Sequence, residues 1–324
     1  MDISGNTRLI AHIGYPTQTF KAPLIYNPYF QSAGLDVVVV PFASQPDGYP
    51  ALLRALFTAE NVVGALITMP HKVSTCGLLD RVSATAQIAG ACNAVRRGAD
   101  GRLEGDMFDG EGFVRSLRTR RIDPAGHSAL VVGCGGVGSA IAASLAAAGV
   151  DRLALYDIDL AACQRLAARL AHHYPALRVE LGQNDPAGFD VVVNATALGM
   201  KAGDPMPMDV NRISPDAFVG EVVLKAEITP FLAAVKARGC RYQVGTDMLF
   251  EQIPAYLSWF GLPTTDAATP PLRHLAEGTD RHAAPAGADC VLNGQGGTHT
   301  CLRTTPSTCA HCSTAGRWGG GRNG

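Results

Sequence analysis

Ala129-Leu130-Val131-Val132-Gly133-Cys134-Gly135-Gly136-Val137-Gly138-Ser139 reads as an apolar strand running into a complete G-x-G-x-x-G turn and then a helix. In such a turn the first glycine permits the sharp reversal and the second lets backbone approach a pyrophosphate. The third allows the helix to pack closely on the strand, and the helix N-terminus offers N–H donors to phosphate. An acidic residue follows about 20 positions on. It is Asp157, at the end of the next strand Leu153–Tyr156, where a carboxylate accepts from both ribose hydroxyls. Asp159 adds negative charge where a 2′-phosphate would sit, and no Arg follows in the adjacent sequence, so NAD is favoured and NADP is the alternative. Gly133, Gly135, Gly136, Val137, Gly138 and Asp157 are therefore the candidate cofactor-binding residues. The competing reading is a glycine turn that only packs a helix on a sheet.

Outward from this stretch the pattern is α/β throughout. A small-residue helix over Ser139–Ala148 and another to about Leu170 follow. Val191–Asn194, Val219–Leu224 and Cys240–Val244 read as further strands, and Met248–Phe260 as a closing amphipathic helix. Upstream, Arg8–Ile13, Asp36–Phe42 and Ala65–Thr68 read as strands, with helices near Ala22–Ala33 and Tyr49–Thr58. Uninterrupted apolar runs such as Val37–Val40 imply strands covered on both faces. Beyond Pro263 the chain is dominated by Ala, Gly, Thr, Pro and His without apolar periodicity, a composition that cannot offset its ordering entropy. The expected organisation is a substrate-binding and catalytic α/β lobe over 1–105 and a Rossmann-type doubly wound dinucleotide-binding lobe over 106–244. A helix over 245–263 then returns to the first lobe, and a disordered tail covers 264–324.

With 324 residues, the chain carries 27 Lys and Arg against 28 Asp and Glu, a net charge of −1. That balance argues against a nucleic-acid or polybasic membrane partner. No apolar run reaches the roughly 18–20 residues a membrane span needs, and the N-terminus lacks the charged and apolar regions of a secretory signal. Nine cysteines in such a chain read as reduced thiols. A cytoplasmic enzyme, monomeric or homodimeric and acting on a small molecule, is expected.

The chemistry points to the first lobe. Ile67-Thr68-Met69-Pro70-His71-Lys72 places a lysine directly after a buried strand and a proline turn, and Gly105-Asp106-Met107-Phe108-Asp109-Gly110 supplies a carboxylate before a helix. Oxidising an alcohol with NAD requires a group that takes the hydroxyl proton while hydride leaves the same carbon; a lysine oriented by a carboxylate does this. Taken singly, each residue reads as a surface lysine or a turn aspartate.

Their order and spacing resemble the shikimate dehydrogenase family. The resemblance spans about residues 8–260 through Gly14-x-Pro16, Pro23-x-x-x-Asn27, Thr68-x-Pro70-His71-Lys72, Ala91-x-Asn93 and Asp109-Gly110-x-Gly112. It continues in the glycine turn, Asn194-Ala195-Thr196-x-x-Gly199-Met200, Thr229-Pro230 and Gly245-x-x-Met248-Leu249-x-x-Gln252. It implies a Lys72–Asp109 catalytic dyad, with Asn93 and Gln252 on ring hydroxyls and Thr68 as a polar neighbour. Thr196, Gly199 and Met200 would border the nicotinamide, with Gly245 alongside. The activity implied is reversible hydride transfer between NAD(P) and a ring hydroxyl or ketone of shikimate, quinate or a related cyclic polyol. A non-catalytic NAD-bound sensor of the same fold is the alternative, against which both dyad residues speak.

The pattern breaks where the family grips the substrate carboxylate. The expected Ser-x-Ser before the proline is Phe20 and Ala22 in Thr19-Phe20-Lys21-Ala22-Pro23, and other polar positions hold Leu66, Met107-Phe108 and Leu224. Each missing charge-assisted hydrogen bond weakens carboxylate binding by about 1.5–3 kcal/mol. Phe20 and Ala22 are thus expected to line a substrate pocket whose recognised end has changed, Lys21 being a candidate replacement cation. The tail residues Cys290, Cys301, Cys309, Cys312, His299 and His311 contain one C-x-x-C pair but lack the second that a zinc site needs. His172-His173 has no carboxylate cluster in register, and no metal is expected.

Overall fold

The computed structural model describes residues 2–18 and 20–264; the tail and its cysteine and histidine residues lie outside them. Two six-stranded sheets organise the described chain. The first is built from β1 (Arg8–Gly14), α1 (Ala22–Ser32), β2 (Val37–Ala43), α2 (Tyr49–Leu56), β3 (Val62–Ile67), α3 (Lys72–Thr75), β4 (Arg81–Val82), α4 (Ala84–Ala89), β5 (Ala94–Arg97) and β6 (Leu103–Asp106). Its order is β2-β1-β3-β5-β6-β4. The β1, β2 and β3 strands are parallel, while β5 runs antiparallel to both β3 and β6.

α5 (Asp109–Thr119) leads to the second sheet, made from β7 (Ser128–Val132), α6 (Gly136–Ala147), β8 (Arg152–Tyr156), α7 (Leu160–His173), β9 (Arg178–Leu181), β10 (Val191–Asn194), β11 (Phe218–Glu221), α8 (Pro230–Ala237) and β12 (Arg241–Gln243). Every pairing in it is parallel, in the order β12-β11-β10-β7-β8-β9. That is the doubly wound order, with the reversal of winding between β7 and β10, and open sheets of this kind bind ligands beyond the strand ends at that point. The fully buried run Ala129-Leu130-Val131-Val132 is what a strand covered on both faces requires.

The closing segment differs from the single helix expected over Met248–Phe260. It is two short helices, α9 (Gly245–Glu251) and α10 (Ile253–Trp259), joined at Gln252. Pro254 lies in the first turn of α10; without an N–H it suits a helix start and cannot continue a preceding helix. The strand expected to reach Leu224 stops at Glu221, because β10 ends at the facing Asn194. Phe250, Ile253, Tyr256, Leu257 and Phe260 join Ile10, Tyr26 and Phe30 in one core, so the end of the described chain is bound to the first sheet.

The halves meet helix on helix. A Cβ on Gly110 of α5 would collide with the Ala140 backbone of α6, so only glycine lets these helices touch there. The Gly136 Cβ position lies 3.9 Å from the Ala91 Cβ. The α4–β5 connection thereby abuts the glycine turn.

Candidate active site

Lys72 opens α3 just after the turn that ends β3, and Asp109 opens α5. The Lys72 Nζ donates to Asp109 Oδ2 at 2.6 Å. Their side chains are 20% and 7% exposed, so the ammonium is partly open to solvent while the carboxylate is buried. Asn93 joins them: its Nδ2 donates to Asp109 Oδ1 at 2.9 Å, and its Oδ1 accepts from the Phe108 N–H at 2.9 Å. The local sequence delivers Asn93 there. Gly90, at φ +66°, ends α4, and the following chain ties back when the Cys92 N–H donates to the Lys72 carbonyl at 2.8 Å. Both carboxylate oxygens of Asp109 are thus occupied, one by the ammonium and one by a buried amide, which fixes the orientation of the pair.

His71 faces away from this pair. Its Nε2 lies 2.8 Å from the Ser44 carbonyl and its ring stacks on Tyr49 at 4.0 Å, so it anchors the turn. Gln252 packs its Cβ against Gly112, 2.9 Å from where a Cβ would be. Gly112 follows Asp109 by three positions and so shares its face of α5. The Gln252 Oε1 is buried with no hydrogen-bond partner among the described residues. Thr68 lies just after β3, its methyl 2.5 Å from the Cβ position of Gly14.

The substitutions at the expected carboxylate grip separate in space. Phe20 lies over Gly14, with its Cζ 2.8 Å from the Cβ position of that glycine, and its ring is 4.1 Å from the His12 ring. Ala22 begins α1 and packs at the edge of its core, and Lys21 is exposed. Met107 turns into a cluster with Ala86, Ala89, Cys92 and Ala140, and Phe108 packs on Tyr256 and Trp259 at 5.0 and 5.8 Å. Met107 therefore fills the core, while Phe108, packed on Tyr256 and Trp259, also borders a cavity with Arg96, Glu111 and Arg115. Leu224 is 52% exposed.

His12 has no place in the motifs read from the sequence. It lies on the Ile10 face of β1, is 8% exposed, and its Nδ1 has no partner among the described residues. Burial first, and the Lys72 charge second, push its pKa down to about 4. A lone histidine in the apolar run Arg8–Ile13, two residues before Gly14, was the available signal.

At the nucleotide end the glycines do what the turn needs. Gly133 takes φ +104°, and a Cβ on it would stand 2.7 Å from the Ala195 backbone. A Cβ on Gly138 would strike the Gly133 carbonyl, whereas Gly135 is exposed with open space before it. Gly136 and Val137 begin α6, whose N-terminus carries no side-chain cap; its free N–H groups suit a pyrophosphate. The Asp157 carboxylate accepts from the Cys134 N–H at 2.7 Å and the Asp159 N–H at 3.0 Å. The Cys134 Sγ lies 3.4 Å from Cys163 Sγ, filling the space under the loop. One expectation needs correction: an arginine does reach this end. Arg165 on α7 pairs with Asp159 at 3.4 Å, brought back by the turn of the helix, which spacing along the chain does not reveal.

Beside this, Asn194 donates to Glu221 Oε1 at 2.8 Å and Thr229 donates to Glu221 Oε2 at 2.6 Å, all three buried. Burial pushes the Glu221 carboxyl up. Thr196 donates its hydroxyl to Asn194 Oδ1 at 2.7 Å and accepts from the Leu198 N–H, so this network shapes the loop carrying Gly199 and the 44% exposed Met200. Gly245, expected beside the cofactor, starts α9 against the Val222–Val223 backbone.

The doubly wound lobe with its glycine turn, together with the Lys72–Asp109 pair, defines a nucleotide-dependent oxidoreductase. The shikimate dehydrogenase substrate binding domain model matches residues 12–95, and a ThiF family model matches 118–172. Shikimate dehydrogenase (NADP(+)) of Acidiphilium cryptum (strain JF-5) is 35% identical over 83% of this chain and 96% of its own length. Among solved structures, the 5-ketofructose reductase of Gluconobacter sp. strain CHM43 matches with a TM-score of 0.77 and 26% identity, over 85% of this chain and all of that one. Quinate dehydrogenase from Corynebacterium glutamicum, in complex with NAD, matches with a TM-score of 0.74 and 29% identity, over 85% and 99%. The chain belongs to the shikimate dehydrogenase family, NAD(P)-dependent dehydrogenases acting on CH–OH groups. Among the described residues no helix is long and apolar enough to cross a membrane.

Proposed function

We propose that the chain catalyses reversible hydride transfer between NAD(P) and a ring hydroxyl or ketone, with Lys72 and Asp109 as the proton-transfer pair. The observation that carries this is the 2.6 Å Lys72–Asp109 contact, braced by Asn93. The dinucleotide supplies the hydride-accepting or hydride-donating ring. In the oxidising direction Lys72 Nζ takes the hydroxyl proton as the C–H bond of the same carbon gives up its hydride; in reduction it returns that proton to the carbonyl oxygen. Asp109 holds the amine in place and balances its charge as it becomes ammonium, and Asn93 holds Asp109. The Gln252 amide oxygen, buried and without a partner, accepts from a substrate hydroxyl; Thr68 and Asn93 line the same cleft.

The glycine turn, residues 133–138, receives the pyrophosphate, and Asp157 the ribose, with NAD preferred because the Asp157 carboxylate disfavours a 2′-phosphate and Arg165 is paired with Asp159. Thr196, Gly199, Met200 and Gly245 flank the nicotinamide. The division of labour is substrate recognition by 1–105, nucleotide binding by 106–244 and closure by 245–263, in a monomer or homodimer.

The preferred substrate is a cyclic hydroxylated or keto compound without a carboxylate. Phe20 and Ala22 offer no donors where the family's serines stand, and the similarity to a reductase of 5-ketofructose, a sugar lacking a carboxylate, supports the same reading. The test is steady-state turnover of the purified protein with NAD(H) and NADP(H) on shikimate, quinate, 5-ketofructose and carboxylate-free cyclic polyols. A kcat/KM at least tenfold higher on a carboxylate-free compound than on shikimate is expected. A preference for shikimate contradicts the substrate class.

A further inference from the structure

His12 lies near the C-terminal end of β1, where β1 runs between β2 and β3, in register with Pro41 and Leu66 and one strand-end away from Gly14 and the Thr68 turn. Its neighbour two residues back on the same face, Ile10, is core. An aliphatic side chain would satisfy that surface at no polar cost, yet the position holds an imidazole whose Nδ1 finds no partner. A buried polar atom without a partner is rare in folded proteins and calls for an explanation. Phe20 lies on the ring at 4.1 Å and 31°, so the imidazole is held in one plane. Lys72 is close enough to disfavour a second positive charge beside it.

We propose that His12 is a specificity-determining residue, hydrogen-bonding through its ring nitrogen to an uncharged hydroxyl or carbonyl oxygen of the substrate, with Phe20 clamping the ring. This rests on the reading that the substrate lacks a carboxylate. A neutral imidazole donates or accepts one hydrogen bond but carries no charge to set against a carboxylate. It therefore favours a hydroxyl over an anion beside Phe20, which stands where the family has a serine. Lys72, on α3, is the charged group acting on it; the facing strands present Pro41 and Leu66, which do not titrate.

The test uses the full-length protein with saturating NAD(P)H, 5-ketofructose and 3-dehydroshikimate as the two probes, and His12→Val and His12→Asn as variants. His12→Val is expected to raise KM for 5-ketofructose at least tenfold, about 1.4 kcal/mol, with kcat within threefold and KM for 3-dehydroshikimate within twofold. His12→Asn, which restores a short polar group, returns KM to within threefold of wild type. Unchanged KM for 5-ketofructose in His12→Val, or an equal rise for both probes, overturns the inference. If His12→Val does not fold, His12→Asn is compared with His12→Leu, and a KM ratio between the probes that is the same in both overturns it. A wild-type protein that turns over 5-ketofructose while His12→Val keeps its KM overturns this inference alone; a wild-type protein inactive on it overturns the proposed substrate class as well.

Discussion

The Lys72 ammonium and the Asp109 carboxylate meet at 2.6 Å across the start of two helices, one following the first sheet's β3 and one leading into the second sheet. Neither helix presents a side-chain N-cap at these positions. Asp109 sits in the first turn of α5, where the helix dipole favours its negative charge. The pair is partly dry, so losing one partner strands the other; breaking such a pair costs more than the pair itself contributes.

Asn93 is the brace. Replacing it by alanine removes the donor to Asp109 and leaves the buried Phe108 N–H without its acceptor. Asn93→Ala is expected to destabilise the fold by about 3 kcal/mol and to lower Tm by roughly 6–12 °C. Calorimetry checks this; a Tm within one degree of wild type contradicts the described network.

Gly138→Ala puts a methyl against the Gly133 carbonyl inside the nucleotide turn. NADH affinity, followed by fluorescence titration, is expected to fall at least tenfold, about 1.4 kcal/mol, with the circular dichroism spectrum retained. Wild-type affinity would show that the turn does not hold the dinucleotide.

Asp157→Ser removes the carboxylate proposed to hold the ribose, while Arg165 stays on α7 near Asp159. The ratio of kcat/KM for NAD to that for NADP is expected to fall by about tenfold or more, the ~1.4 kcal/mol of one charge contact. An unchanged ratio contradicts the role given to Asp157.

His12 makes stability depend on pH. Its pKa is about 4 in the fold against 6.5 for an ordinary histidine, so the unfolded chain binds more protons between those values. Its contribution is fully present above pH 6.5 and is lost as pH falls toward 4, reaching about 3 kcal/mol. Glu221, with its carboxyl pushed up by burial, acts oppositely: its contribution is lost as pH rises through its folded-state pKa. Comparing wild type with His12→Val by urea denaturation at each pH isolates the histidine, and the difference should grow in the variant's favour from pH 6.5 to 4. A flat difference contradicts a neutral buried ring.

The doubly wound lobe was legible because its signals are local: an apolar run, a glycine turn and an acidic residue one strand later all lie within 30 positions. Lys72, Asp109 and Asn93 were legible as motifs, but not that Asn93 spans Asp109 and Phe108, which depends on Gly90 turning the chain. The split of the closing helix at Gln252 was visible in Pro254 and was overridden by apolar periodicity. Arg165, His12 and Glu221 escaped because a helix turn or a sheet register, not sequence distance, puts each where it acts. Met107, read from the sequence only as a lost polar contact, joins a core cluster with Ala86 and Ala140, since a sequence shows that a residue is apolar but not which cluster receives it.

The most direct test is single-turnover hydride transfer in Lys72→Ala with NADH prebound, read by the loss of nicotinamide absorbance on the best substrate of the wild-type enzyme. A rate at least about 10²-fold below wild type, with NADH affinity within twofold, is the predicted result. A rate within threefold of wild type would show that proton transfer does not pass through Lys72.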